Sequence, residues 1–285
     1  MKSNATRTIA VVGAGTMGRG IAQVFATSGF EVLLFDSQPG LSESALLAIS
    51  ENLSTLVSKG RINARQAHDA AAAIHRANSI DELKADMIVE AVVEKLDVKK
   101  ALFAALEQVN SEGCLFATNT SSIPIAQIAG SLKHPERLAG LHFFNPAPVM
   151  KLVEIVKGAV TAPEVVESLF AVTRKLGKEA VLAQDSPGFI VNRVARHYYV
   201  ESLKVLEESV ASHETIDALL RSVGFKMGPF ELMDLIGVDV NFSVTCSMYN
   251  SFHQLSRFRP SRVQQQKVDA GHHGRKSGKG FYDYS

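Results

Sequence analysis

Near its N-terminus the chain carries a glycine turn, Gly13-Ala14-Gly15-Thr16-Met17-Gly18, that leaves few folds open to it. The run before it, Thr8–Val12, is short, apolar and β-branched, as expected of a strand buried on both faces. A helical segment follows to Thr27, with Ser28-Gly29 as its C-cap. Each glycine has a physical reason. Gly13 permits the tight turn, Gly15 lets a pyrophosphate approach the backbone, and Gly18 lets helix and strand pack closely. The phosphates then lie on the positive end of the helix, so Gly13, Gly15, Thr16, Met17 and Gly18 form the expected cofactor turn. A second strand, Glu31–Phe35, ends in Asp36, 18 residues past Gly18, where a carboxylate accepts hydrogen bonds from both adenosine ribose hydroxyls. That charge repels a 2′-phosphate and no arginine follows it directly, so NAD is expected over NADP.

At 285 residues the chain can bury one large core or two ordinary ones. A net charge of +1 argues against a protein devoted to nucleic acid or a membrane surface. The two cysteines, Cys114 and Cys246, have no partner at metal-binding spacing and suggest a reducing interior without disulfides; no metal is expected. The apolar run Ile9–Val12 is too short for a signal peptide, and no run reaches the ~20 apolar residues of a membrane helix. The expected location is cytoplasmic.

After the second strand, Ser42–Ser58 has apolar residues at helical spacing, and Asn63 reads as the N-cap of a second, alanine-rich helix reaching about Ile74. This helical hairpin is an insertion into the dinucleotide unit, with Lys59 and Arg61 at its bend. Two readings stay open: a solvated basic turn, or a site for a phosphate-bearing substrate. Asp86–Val93 reads as a buried strand, Asp97–Val109 as a helix, and Leu115–Thr118 as a strand running into Asn119-Thr120-Ser121-Ser122. Open α/β sheets place ligands at such a strand end, although a serine there is often a helix cap.

The stretch Leu141–Ile155 sets His142 and Glu154, 12 residues apart, in two strand-like runs, Leu138–Phe144 and Lys151–Val156, broken by Pro146 and Pro148. If these runs pair, the carboxylate can orient the imidazole and stabilise its protonated form, which makes a general base. A half-buried histidine with an unrelated surface glutamate is the other reading. Beyond a helix near Pro163–Leu176 and a strand at Ala180–Ala183, Asp185-Ser186-Pro187-Gly188 is a helix-start signal and the expected domain boundary. From Phe189 onward no strand pattern recurs, and the segments near Val191–Leu206, His213–Val223, Phe230–Leu235 and Val238–Phe252 read as helices. Asn192 lies in the first turn of the first of these.

In combination, Gly-Ala-Gly-Thr-Met-Gly at 13–18, Asn-Thr-Ser-Ser at 119–122, His-Phe-Phe-Asn-Pro at 142–146 and Asp-Ser-Pro-Gly-Phe-Ile-Val-Asn-Arg at 185–193 resemble the NAD-dependent (S)-3-hydroxyacyl-CoA dehydrogenases, especially the short bacterial 3-hydroxybutyryl-CoA type. Gly-Arg-Lys-Ser-Gly at 274–278 and Gly-Phe-Tyr at 280–282 extend the resemblance over essentially the whole chain. It implies His142 as base, Glu154 as its partner, and Ser121 and Asn192 as polar groups around the substrate oxygen. Glu94, Lys99 and Asn145 would line the NAD site, Lys276 would approach the cofactor, and Lys59 would help hold coenzyme A. The expected architecture is a doubly wound Rossmann-type α/β domain with an inserted helical hairpin, residues 1–186, followed by an all-helical domain, residues 187–285, for substrate and dimerisation. The expected function is reversible NAD-dependent oxidation of a 3-hydroxyacyl-CoA by a homodimer. Two alternatives share the fold: a dehydrogenase of a sugar acid or carnitine-like alcohol, and a dinucleotide-binding protein without turnover.

Overall fold

The structure, a computed structural model, describes residues 6–284. It divides into two compact units, one ending at Ser186 and one beginning at Pro187.

The first unit is built on an eight-stranded sheet. Its strands are β1 (Thr8–Val12), β2 (Glu31–Phe35), β3 (Ile74–Arg76), β4 (Met87–Glu90), β5 (Leu115–Thr118), β6 (Leu138–Phe143), β7 (Leu152–Lys157) and β8 (Glu179–Gln184). The order is β3-β2-β1-β4-β5-β6-β7-β8, parallel except for the antiparallel β6–β7 pair. The chain leaves β1 for one side of the sheet and returns to the other, so the carboxyl ends of β1 and β4 form the switch point where such sheets bind ligands. Ile9, Val11, Met87, Val89 and Ala117 are fully buried, as a central parallel strand covered on both faces requires. Around the sheet lie α1 (Thr16–Thr27), α2 (Leu41–Ser58), α3 (Ala64–Ala72), α4 (Leu96–Val109), α5 (Ile125–Ala129) and α6 (Pro163–Lys175). Asn63 caps α3 in a capping box with Gln66.

Three local expectations need correction. The second hairpin helix stops at Ala72, and Ile74–Arg76 forms the edge strand β3 against β2. Only Ile74 of these three is buried, so the strand has no alternation to read, and pairing overrides the helical drift of the alanine run. The run Asp86–Val93 ends as a strand at Glu90, and Val93 is exposed. Asp185 does not start the helix that follows it. Its two carboxylate oxygens accept the Ile125 and Ala126 N–H groups at 2.9 Å, so it caps α5, some 60 positions earlier.

The second unit comprises α7 (Val191–Glu207), α8 (His213–Ser222), α9 (Pro229–Ile236), α10 (Val238–Ser251) and α11 (Arg262–Asp269). Helix α11 went unread in the sequence because Gln264 is its only buried residue and it has no apolar stripe; Ser261 caps it. The core gathers Tyr199, Leu203, Ile216, Phe230, Met233, Val238 and Phe281. Two buried carboxylates organise it. Asp217 accepts the Phe230 and Glu231 N–H groups that open α9, while Asp234 accepts those of Phe281 and Tyr282. Gly280 lies so close that a Cβ there would meet Asp234 Oδ1 at 2.1 Å, which explains the glycine before Phe281-Tyr282. Among the described residues, no helix is long and apolar enough to cross a membrane.

Asp234→Ala leaves two inward-facing N–H groups without an acceptor. The expected cost is ~3 kcal/mol, read as a lower urea midpoint for the second unit.

Candidate active site

The glycine turn shows in its sterics why these positions are glycine. Gly13 has φ +101°, and a Cβ there would meet Ala91 O at 2.5 Å. A Cβ on Gly18 would lie 1.6 Å from Gly13 O. Gly15 differs, since a Cβ there would have nothing within 4 Å. Its openness is toward the N-terminus of α1, which has no side-chain cap and no acidic residue in its first turn. Thr16 and Met17 open that helix, so orphan N–H donors and the dipole remain for an anion. Asp36 stands beside this turn, where Oδ2 accepts Ala14 N–H at 2.7 Å and Oδ1 accepts Gln38 N–H at 2.8 Å. Shape and donor set thus fit a dinucleotide pyrophosphate with its ribose at Asp36.

At the carboxyl ends of β4 and β5 lies a buried ionic cluster. Glu90, wholly buried, accepts from Lys99 Nζ at 2.6 Å, Thr118 Oγ1 at 2.6 Å and Val92 N–H at 2.7 Å. Lys99 also pairs with Glu94 at 3.2 Å. Glu94 then reaches the polar turn, accepting from Thr120 Oγ1 at 2.6 Å and from the Ser121 and Ser122 N–H groups at 3.0 and 3.2 Å. Burial alone would raise the Glu94 carboxyl, but the Lys99 charge and the bonds from Thr120 and Ser121 outweigh it and hold the group below the usual glutamate range. Ser121 Oγ takes no part in these bonds; the turn is held by its backbone and by the Thr120 and Ser122 hydroxyls. Asn119 Oδ1 accepts Phe143 N–H at 2.9 Å and so ties this turn to the strand that carries His142.

On that strand, His142 and Glu154 are direct partners in the antiparallel β6–β7 register. His142 Nδ1 lies 2.8 Å from Glu154 Oε2, with the histidine 6% and the glutamate 0% exposed. With Nδ1–H donated to the carboxylate, the neutral ring carries its lone pair on Nε2. Past Asn145, which is exposed at the end of β6, the turn packs Ala147 and Pro148 against Gly20 of α1. Lys178 Nζ holds this turn by donating to Ala147 O and Met150 O, both at 2.7 Å.

Lys59 and Arg61 are exposed at the bend after α2. Asn192 lies on α7, whose N-cap position is Ile190 without a side-chain cap bond, so it does not cap the helix. Lys276 pairs with Asp239 at 2.7 Å in the second unit.

Sequence reasoning passed over Glu90, Lys178 and the tie made by Asn119. For Glu90 a signal existed: a carboxylate ending the apolar run Met87–Val89 is rarely tolerated in a buried strand unless paired.

Proton-transfer equipment and a dinucleotide turn thus both stand at the carboxyl ends of the strands of one sheet. The family follows from comparison. Residues 8–186 match the 3-hydroxyacyl-CoA dehydrogenase NAD binding domain and residues 188–284 match the 3-hydroxyacyl-CoA dehydrogenase C-terminal domain, so the chain belongs to that family. It is 52% identical over 280 residues to the 3-hydroxyadipyl-CoA dehydrogenase of Escherichia coli (strain K12), with 98% of this chain but 59% of that protein covered. The chain thus spans about three fifths of that relative's length. It is 36% identical over 279 residues to the 3-hydroxybutyryl-CoA dehydrogenase of Clostridioides difficile, covering 97% of this chain and 99% of that one. The solved structure of (S)-3-hydroxybutyryl-CoA dehydrogenase PaaH1 from Ralstonia eutropha superposes with a TM-score of 0.95 at 35% identity, over 99% of this chain and 100% of that one.

Two measurements check the site. Gly15→Ala is expected to fold normally yet weaken NADH binding roughly tenfold or more, whereas Gly18→Ala disrupts the turn and the fold together. Equal thermal stability of the two variants would contradict this. For Glu94, the folded carboxyl titrates below its unfolded value of about 4.3. Its stabilisation is therefore present above that value and lost as pH falls through the lower folded one. Urea unfolding from pH 6 to pH 3 should show a steeper loss in the unmodified protein than in Glu94→Gln.

Proposed function

We propose that the protein interconverts (S)-3-hydroxyacyl-CoA and 3-oxoacyl-CoA with NAD, acting as a homodimer in the cytoplasm. The observation that carries the reading is the buried His142–Glu154 pair at 2.8 Å. A protein that only binds a dinucleotide has no use for an imidazole held in one tautomer by a buried carboxylate. Gly13, Gly15, Thr16, Met17 and Gly18 hold the pyrophosphate and Asp36 the adenosine ribose, with the Asp36 charge selecting against a 2′-phosphate. Glu94, Lys99 and Asn145 line the nicotinamide side, and Lys276 is assigned to the cofactor as well. Bound NAD supplies the hydride acceptor for C3 of the substrate.

His142 Nε2 takes the C3 hydroxyl proton during oxidation and returns it to the developing alkoxide during reduction. Glu154 keeps Nδ1–H pointed inward and stabilises the imidazolium. Ser121, its backbone fixed by Glu94, and Asn192 donate to the same oxygen. Lys59 at the exposed bend pairs with the phosphates of coenzyme A. The helical unit carries the dimer contact, supported by Val194, Val210, Leu219 and Val223 on its surface, each more than 60% exposed. The thiols of Cys114 and Cys246 are free, which suits a reducing compartment.

The test is NADH oxidation with 3-oxoacyl-CoA substrates. His142→Ala is expected to lower kcat by roughly 10²–10⁴-fold while NADH still binds. Glu154→Gln should cost less, because an amide oxygen still accepts Nδ1–H but stabilises the imidazolium weakly. Near-normal turnover in His142→Ala would overturn the assignment.

A further inference from the structure

Ser121 and His142, assigned above to one substrate oxygen, are carried by neighbouring strands of the first unit. Ser121 lies in the turn after β5, and His142 lies near the end of β6. The β5–β6 ladder stops before it reaches either of them, its last pair being Thr118 and Gly140. β6 runs on, and Leu141, His142 and Phe143 pair with Ile155, Glu154 and Val153 of β7. On the opposite edge β5 has already turned away into Asn119-Thr120-Ser121-Ser122. A strand end held by a ladder along one edge alone is prone to fray.

The Asn119 side chain closes that edge. Its Oδ1 accepts Phe143 N–H at 2.9 Å, the place a ladder carbonyl would take if β5 continued. Its own N–H goes the other way, to Glu90 O on β4 at 2.8 Å. The residues on either side are fixed too. Thr118 Oγ1 donates to Glu90 and Thr120 Oγ1 to Glu94, each at 2.6 Å. Asn119 thus joins a firmly bonded turn to the strand that carries His142, through the backbone of the next residue rather than through the imidazole. Asparagine supplies the acceptor without adding a second charge to a turn that already binds the Glu94 carboxylate.

We propose that Asn119 is a positioning residue for proton transfer. Through the Phe143 amide it fixes the separation of His142 from the Ser121 turn, and so the place where one oxygen can meet both. The proposal rests on the assignment of Ser121 and His142 to that oxygen. Misplacing a reacting group by about 1 Å can cost about a hundredfold in rate, and binding of the dinucleotide at the glycine turn does not depend on this bond.

The test follows NADH oxidation by the full chain with 3-oxobutyryl-CoA. N119L keeps the size and shape of the side chain but removes the acceptor. It is expected to lower kcat roughly 10- to 100-fold, with Kd for NADH within about twofold of the unmodified value. N119D still offers an oxygen to Phe143 N–H and should retain more of kcat than N119L. Because Asn119 acts through His142, its loss should cost nothing further where the imidazole is already gone. N119L combined with H142A should therefore turn over as fast as H142A alone. An interior brace would instead slow both backgrounds alike. Should N119L not fold, N119S is too short to reach Phe143 and allows the same comparison. A kcat within about twofold of normal in the variant lacking the acceptor overturns the proposal, as does an equal loss in both backgrounds or N119D no faster than N119L. Those results leave the acyl-CoA reading intact, whereas an unmodified protein inert toward the thioester removes that reading and this proposal with it.

Discussion

Glu90 and Lys99 form an ion pair with almost no access to water, at the end of a strand in the middle of the sheet. Two such charges are costly to desolvate, and their attraction offsets that cost only when the remaining lone pairs and protons are also satisfied. Here they are. Thr118 and the Val92 N–H complete Glu90, and Glu94 gives Lys99 a second carboxylate. The pair therefore works as a hub. It joins the ends of β4 and β5 to the first turn of α4, and through Glu94 it sets the backbone of the Ser121 turn. Removing one member leaves the other charged and buried, so the arrangement holds together or fails together.

A second constraint is the reversal of direction between β6 and β7. Parallel neighbours in this sheet are linked by crossovers that carry the chain away, but a hairpin brings two residues 12 apart face to face. In the observed register His142 faces Glu154. A slip by one residue would turn Glu154 to the opposite side of the sheet and separate the pair. The turn joining these strands is long, proline-broken and exposed, and it is steadied from outside by Lys178 and by its packing on Gly20. Asn119 completes the frame by bonding the backbone beside His142.

The helical unit applies the same economy with carboxylates. Asp217 opens α9, and Asp234 receives the chain end that returns over it, with Gly274 and Gly280 admitted because no side chain fits against Asp234. Against that pattern of acids bonded to backbone donors, the lone cation Arg196 stands out. Its partners are all neutral.

Local chemistry carried the regular elements into view from the sequence. The glycine spacing, the acid closing β2, the apolar runs of the buried strands and the stripe of α2 each depend on residues a few positions apart, and periodicity records them. The same holds for the absence of strand pattern after Phe189 and the helical unit found there. For α7 periodicity found the helix but not its buried face, since Val194 is exposed and Arg196, Tyr199 and Leu203 are buried. Tertiary packing settled what those periods do not contain. Ile74–Arg76 is a strand because β2 offers it an edge, Asp185 caps a helix some 60 positions earlier, and Glu90 is tolerated because Lys99 comes back to it. His142 and Glu154 become one unit through a register, and Arg196 is uncompensated only because α10 covers it with amide and hydroxyl groups. In every one of these cases a polar or edge group needs a partner from a distant segment. A periodic pattern shows where an element runs, but only the packed chain shows which polar groups are buried and what meets them there.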